Sequence, residues 1–175
     1  RKSRRRPYFI KTPWWLKAMF PKRIWHIGRG EKVIYLTFDD GPHPVATPFV
    51  LDLLKEYKAK ATFFCIGKNV DDFPAIYKRI LDEGHAVGNH TQHHLNGWKT
   101  ANDIYIKDVK EAAKRIQSGL FRPPYGRIRS SQVRKLAGFR IIMWDVLSGD
   151  FDKAVSPESC YQYVMNHTNN GSIVV

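Results

Sequence analysis

The sequence predicts an α/β fold with a parallel sheet and crossover helices, built as either an open sheet or a barrel. Three observations predict it. Short β-rich runs alternate with stretches of helical apolar spacing, the order that a parallel sheet requires. Four polar clusters, Asp39-Asp40, His90 to His94, Arg122 to Tyr125 and Asp145 to Asp150, each come just after a strand-like run. In a parallel α/β architecture those positions converge on one rim, where sites are built. Finally, 175 residues suit one domain with a hydrophobic core.

Residues 33–38 read as a strand ending at the turn Asp39-Asp40-Gly41-Pro42. Residues 47–58 carry Phe49, Val50, Leu53, Leu54 and Tyr57 at helical spacing. Residues 61–66 form a second strand. Residues 74–83 form a helix with Ile76, Tyr77, Ile80 and Leu81 spaced along it, stopped by Gly84. A short strand at 85–88 leads into the histidine-rich segment. Asn102 or Asp103 is expected to cap a helix running to about Ser118, with Ile106, Val109, Ala113 and Ile116 inward. Phe121 and Arg122 end a strand, 130–137 read as a helix stopped by Gly138, and 139–144 form an apolar strand. Residues 157–166 look helical, and 172–175 open one more strand.

Charge divides the chain. Its formal net charge is +13. Residues 1–32 hold eleven Lys/Arg and one acid, whereas residues 33–175 carry a net charge of only +3. The expected organisation is therefore a basic, aromatic-rich leader (1–32) ahead of one domain (33–175). A nearly balanced body argues against nucleic acid as a partner, which wants a basic face on the folded domain. The leader mixes Lys and Arg with Tyr8, Phe9, Trp14, Trp15, Phe20 and Trp25. That composition suits contact with a membrane surface, and equally an extension whose aromatics pack onto the domain. Pro7, Pro13 and Pro21 divide it into short pieces. No run approaches the roughly 18 apolar residues of a membrane span. Cys65 and Cys160 are too few for a disulfide framework, and Cys65, in an apolar run, is expected to be a buried free thiol.

The chemistry starts from His90-Thr91-Gln92-His93-His94. On a helical turn this spacing would put His90 and His94 on one face, able to grip one cation. With Asp40 delivered from another strand end, the set becomes two histidines and a carboxylate, which leaves coordination positions open, as catalytic sites do. Adjacent carboxylates on an extended backbone cannot easily point the same way. Asp40 on a metal and Asp39 turned toward water is thus the natural division, with Asp39 as proton acceptor. In Arg122-Pro123-Pro124-Tyr125 the two prolines fix the backbone. An arginine beside Asp39 would hold it ionised and oriented. Taken alone, each of these is weak: a solvated acidic turn, a chance histidine pair, a rigid loop.

Together, Thr37-Phe38-Asp39-Asp40-Gly41-Pro42, His90-Thr91-Gln92-His93-His94 and Arg122-Pro123-Pro124-Tyr125-Gly126 resemble the polysaccharide deacetylase family, the NodB-like domain of carbohydrate esterase family four. The resemblance spans roughly 33–175. It implies a distorted (β/α) barrel, a metal held by Asp40, His90 and His94 (usually zinc, with cobalt, nickel or manganese as alternatives), and Asp39 as general base. It also implies that Arg122 orients Asp39 and that Tyr125, after Pro124, offers its N–H to the oxyanion. The implied reaction is hydrolysis of N-acetyl groups on a polysaccharide, peptidoglycan first and chitin-type oligosaccharides second, in the cell envelope or outside the cytoplasm. In the fourth family motif Asp150 matches the carboxylate that orients a catalytic histidine. Phe151 stands where a tryptophan is usual, as a groove wall without an indole donor. The fifth motif begins at Gly171-Ser172-Ile173-Val174-Val175 without reaching its histidine, and His167 does not match. A C-terminally incomplete barrel is the expectation. The rival readings are a carbohydrate-binding relative without turnover, a hydrolase of a non-sugar amide, and a basic associating protein working through its leader.

Overall fold

The computed structural model describes residues 8–28 and 30–175, so the arginine-rich cluster of residues 1–7 lies outside the described part. In chain order the elements are α1 (Trp14–Met19), β1 (Arg23–Ile24), β2 (Tyr35–Gly41), α2 (Ala46–Glu56), β3 (Thr62–Cys65), α3 (Gly67–Asp72), α4 (Pro74–Asp82) and β4 (Ala86–Asn89). They continue with α5 (Asn102–Ala113), β5 (Leu120–Phe121), a 3-10 turn at Pro124–Gly126, α6 (Ser130–Lys135), β6 (Arg140–Ile142), α7 (Pro157–His167) and β7 (Ile173–Val174). The chain forms two compact units, one from Leu36 to Met143 and one from the residues up to Tyr35 together with Trp144 to Val175.

The central unit contains neighbouring strands in the order β6-β5-β4-β3-β2, every adjacent pair parallel. The strands are short, and they stop in line. Gly41 pairs with Cys65, Cys65 with Asn89, and Asn89 with Phe121. A single row of residues therefore marks the C-terminal edge, and Asp39, Asp40, His90 and Arg122 flank that row. Leu51, Leu54, Phe63, Cys65, Val70, Ile80, Val87, Ala112 and Ile116 form the core between sheet and helices, with Leu36, Phe38 and Tyr77 packed against it.

Four details depart from the sequence reading. On α2 the buried face is Thr47, Leu51 and Leu54, whereas Phe49, Leu53 and Tyr57 are exposed. This helix is apolar on two sides, so spacing alone does not identify the inner one. Residues 67–72 form α3, a helix hidden from the sequence by its lone glycine start and its brevity. Neither Asn102 nor Asp103 caps α5: Ala101 occupies the N-cap without a side-chain bond. The Asn102 amide donates to Ser131 Oγ at 3.0 Å, and Asp103 pairs with Lys135 at 2.8 Å. Tertiary partners have taken the side chains that local rules reserve for the helix end. Finally, α5 stops at Ala113, although the Ile116 N–H still reaches the Ala112 carbonyl and its side chain is fully buried.

In the second unit the backbone of Val146 bridges to Lys11 on one side and Val174 on the other. Asp145 is 3% exposed, accepts from Ser172 Oγ at 2.6 Å, and is paired with both Lys11 and Lys17. Burial raises its pKa, but the bonds from Lys11, Lys17 and Ser172 outweigh that and hold the carboxyl below its ordinary range. Ser156 caps α7, its Oγ accepting from the Ser159 N–H, with Pro157 in the first turn. The large apolar residues before β2 divide: Trp25 is buried, whereas Trp14, Trp15 and Met19 are exposed. Among the described residues no helix is long and apolar enough to cross a membrane. Both cysteines are free, Cys65 buried and Cys160 partly exposed.

Candidate active site

The end of β2 carries the first two site residues on an irregular backbone. Pairing with β3 slips between Asp39 and Gly41, and Asp40 adopts φ 68°, in the left-handed region. A bulge of this kind re-aims one side chain relative to a regular strand. It resolves the difficulty of two adjacent carboxylates: both serve the same strand end without obeying strict alternation. The Asn69 amide, from α3, donates to the Asp40 carbonyl at 2.8 Å and pins the turn.

His90 and His94 do not lie on a helical turn, contrary to the expectation from their spacing. The segment after β4 is an irregular loop in which Thr91 (φ 67°) and His94 (φ 57°) are left-handed. The rings nevertheless meet, with centroids 5.1 Å apart. His90 is 2% exposed, and its Nδ1 lies 2.7 Å from the Arg122 carbonyl. A carbonyl only accepts, so Nδ1 is a donor here and the ring turns Nε2 toward Asp40; with a cation in place Nε2 would be the ligating nitrogen, the arrangement by which proteins orient ligating histidines. His94 packs against the Tyr125 ring at 4.7 Å.

Asp40, His90 and His94 offer three donor atoms that all lie within 4.8 Å of one another. Asp40 Oδ1 is 3.2 Å from His90 Nε2 and 3.0 Å from His94 Nε2. Ligands about 2.0–2.2 Å from a tetrahedral zinc sit about 3.3 Å from each other, so the donor set fits such an ion in both spacing and chemistry. Burial works against charge on Asp40, but its hydrogen bonds to His90 and His94 prevail and hold the carboxyl well below the usual range.

Among the described residues, Arg122 is the largest fully buried side chain. Its Nη1 donates to Asp39 Oδ1 at 2.8 Å and to Thr37 Oγ1 at 2.7 Å; Nε and Nη2 donate to the Ile142 and Met143 carbonyls at 3.2 and 2.9 Å. The guanidinium also lies 4.2 Å over the Phe64 ring. Burial lowers its pKa from the ordinary value, and the Asp39 carboxylate opposes that. Beyond it, Pro123 and Pro124 lead to Tyr125, whose φ of 60° places it outside helical geometry within the short turn. Among the described residues, the Tyr125 N–H donates to no backbone carbonyl outside that turn.

The structure thus brings together Asp39, Asp40, His90, His94, Arg122, Pro124 and Tyr125. Asp150 and Phe151 belong to the other unit. There Phe151 is exposed, with its ring 5.1 Å from Tyr8, and the Asp150 N–H faces Ser148 Oγ at 3.4 Å. Thr37 and Asn69, which brace this site, went unassigned from sequence. Thr37 stands inside a recognised motif; Asn69 carries no local signal.

In this parallel-sheet α/β protein an aspartate and two histidines that could hold a cation lie beside an arginine-bound carboxylate, the donor chemistry of a metal-dependent hydrolase. The polysaccharide deacetylase profile matches residues 26–142, and the chain belongs to that family. A peptidoglycan-N-acetylglucosamine deacetylase of Bacillus cereus is 38% identical over 159 residues, covering 86% of this chain and 75% of the relative. A chitooligosaccharide deacetylase of Azorhizobium caulinodans is 35% identical over 85% of this chain and 75% of its own length. The solved structure of the Bc1960 peptidoglycan N-acetylglucosamine deacetylase superposes with a TM-score of 0.81 at 33% identity, covering 93% of this chain and 79% of that one. The fold is accordingly the distorted (β/α) barrel of this family.

Proposed function

We propose that this chain is a metal-dependent hydrolase that removes N-acetyl groups from peptidoglycan, outside the cytoplasm. The observation that carries the reading is the meeting of Asp40, His90 and His94 beside an Asp39 carboxylate held by a buried arginine. Asp40, His90 and His94 would hold the ion. Zinc is our assignment; the same donors also accept cobalt, nickel or manganese. When bound there, a divalent cation supplies Lewis acidity toward the acetyl carbonyl and makes water a stronger acid.

The remaining steps belong to the chain's own side chains. Asp39 takes the proton of the attacking water, and the Arg122 guanidinium keeps that carboxylate aimed. The Tyr125 N–H, presented by the Pro123-Pro124 turn, donates to the developing oxyanion. One such donor is worth about 3–4 kcal/mol of transition-state stabilisation. For Asp150 we keep the role of orienting a histidine, and for Phe151 that of a substrate contact. The proton that Asp39 takes returns to the sugar nitrogen as the C–N bond breaks, which leaves a free amine and acetate.

The choice of polymer rests on the relatives named above. The test is release of acetate, with matching appearance of free amine, from peptidoglycan and from chitin-type oligosaccharides by zinc-loaded protein. Faster release from peptidoglycan is expected. Sugar binding with no acetate from either substrate would replace this reading with that of a binding module.

A further inference from the structure

We infer that Asp108, on α5, is a positioning residue for the cation site: it holds the loop that carries His90 and His94 by accepting its backbone amides. The inference rests on the metal-site reading of Asp40, His90 and His94. Asp108 itself touches none of the three.

The loop after β4 makes no regular structure, yet its backbone groups are bonded one after another. The His90 N–H goes to the Cys65 carbonyl, and the Thr91 N–H to Asn89 Oδ1. The Thr91 and Gln92 carbonyls accept from the N–H groups of Gly67 and Lys68, at the start of α3. The next two amides are those of Gln92 and His93. Both donate to one oxygen, Asp108 Oδ2, at 2.9 and 3.0 Å. Its other oxygen meets His93 Nδ1 at 2.6 Å.

Asp108 is only 9% exposed, on the inward side of α5 between Tyr105, Val109 and Ala112. A carboxylate is costly to bury in such a place unless it is hydrogen-bonded, and among the described residues its bonds go to this one loop. Consecutive N–H groups converging on an anion form a concave backbone nest, which fixes the dihedral angles of the residues that donate. Those residues lie between the two histidines, so the nest sets how far apart and at what angle the rings leave the chain. Helix periodicity would do this for a His-x-x-x-His pair on a helix; here a side chain from α5 does it. Gly67 serves the same packing, since a Cβ there would come within 2.0 Å of Gln92 Oε1.

Geometry and charge make opposite demands on substitutions. Asp108→Asn keeps an acceptor oxygen in place and removes the charge. Asp108→Glu keeps the charge and moves it by one methylene. The readout is the dissociation constant for Zn2+ by chelator competition, together with the visible absorption spectrum of the Co2+ form and hydrogen exchange of the Gln92 and His93 amides. Loss of a partner that orients metal ligands weakens binding by about 10–100-fold. We expect Asp108→Glu and Asp108→Ala to weaken zinc binding at least about tenfold, alter the cobalt spectrum and speed exchange at both amides. Asp108→Asn should stay near wild type, as should His93→Ala, which spares the two amides. Folded Asp108→Glu protein that binds zinc as wild type does would overturn the inference, and so would Asp108→Asn as weak as Asp108→Glu. Failure of the underlying site reading looks different: zinc affinity of the wild type would then be unchanged by His94→Ala.

Discussion

Arg122 donates to Asp39 at 2.8 Å from a position with no solvent exposure, so this carboxylate is oriented by a charge that water cannot reach. The pair joins the end of β2 to the residue just after β5, two strands that are not neighbours in the sheet. Removing the arginine leaves Asp39 without its charged partner and strips donors from Thr37 and two carbonyls. Breaking a buried pair in this way costs about 3–5 kcal/mol. Arg122→Ala should therefore lose that much in denaturant unfolding as well as activity. Arg122→Lys should recover only part, because an ammonium cannot reproduce the planar fork.

Asp39 lies beside the three cation donors without belonging to the group. Asp39→Asn should cut acetate release by at least about a hundredfold, the scale of a lost general base. Bound zinc, measured by elemental analysis after dialysis, should stay stoichiometric. A variant that retained its rate would remove Asp39 from the base role.

Zinc that binds the folded chain and not the unfolded one stabilises the fold by mass action. At a hundredfold excess over the dissociation constant the gain is about 2.7 kcal/mol. For a chain of this size that corresponds to a rise of about 5–10 °C in melting temperature. Scanning calorimetry with zinc and with a chelator should show the difference in wild type and lose it in His94→Ala.

Asp145 has a depressed folded-state pKa, maintained by Lys11, Lys17 and Ser172 against the effect of burial. A carboxylate of this kind stabilises the fold above its unfolded value of about 3.9 and loses that contribution as pH falls through the lower folded value. Wild type should thus lose stability on acidification below about pH 4 more steeply than Asp145→Asn does. The variant should already be weaker at pH 7, where two lysines have lost their counter-charge. Urea midpoints across pH 3–7 (an interval set by the same carboxylate value) would show whether the two curves converge.

Cys65 is fully buried, and burial, reinforced by the negative charge of Asp39, pushes its thiol up to about 12. Thiolate is the reactive form, so Cys65 should be inert to a disulfide reagent in the native protein. Cys160 is partly exposed. One thiol should react in buffer and two in denaturant; two fast thiols in the native state would contradict the packing around β3.

Strand and helix types were legible because their periodicities differ, and the site strands were legible because polar motifs ended apolar runs. The inner face of α2 was not, since Phe49 and Leu53 are as apolar as Leu51. The helical turn expected at His90 was wrong for a related reason. A four-residue spacing is compatible with a helix, but Thr91 and His94 take left-handed angles that no local preference announces.

What the sequence determined by itself was the inventory and its order: which carboxylates, imidazoles and guanidinium follow which strands, and so which chemistry this chain can assemble. The tertiary structure decided how they meet. The bulge that re-aims Asp40, the burial of Arg122 and the grip of Asp108 on the loop each depend on groups far apart in the chain. The physical reason is that hydrogen bonds and burial act through space, so a residue such as Asp108 acquires its meaning only when α5 packs beside the end of β4.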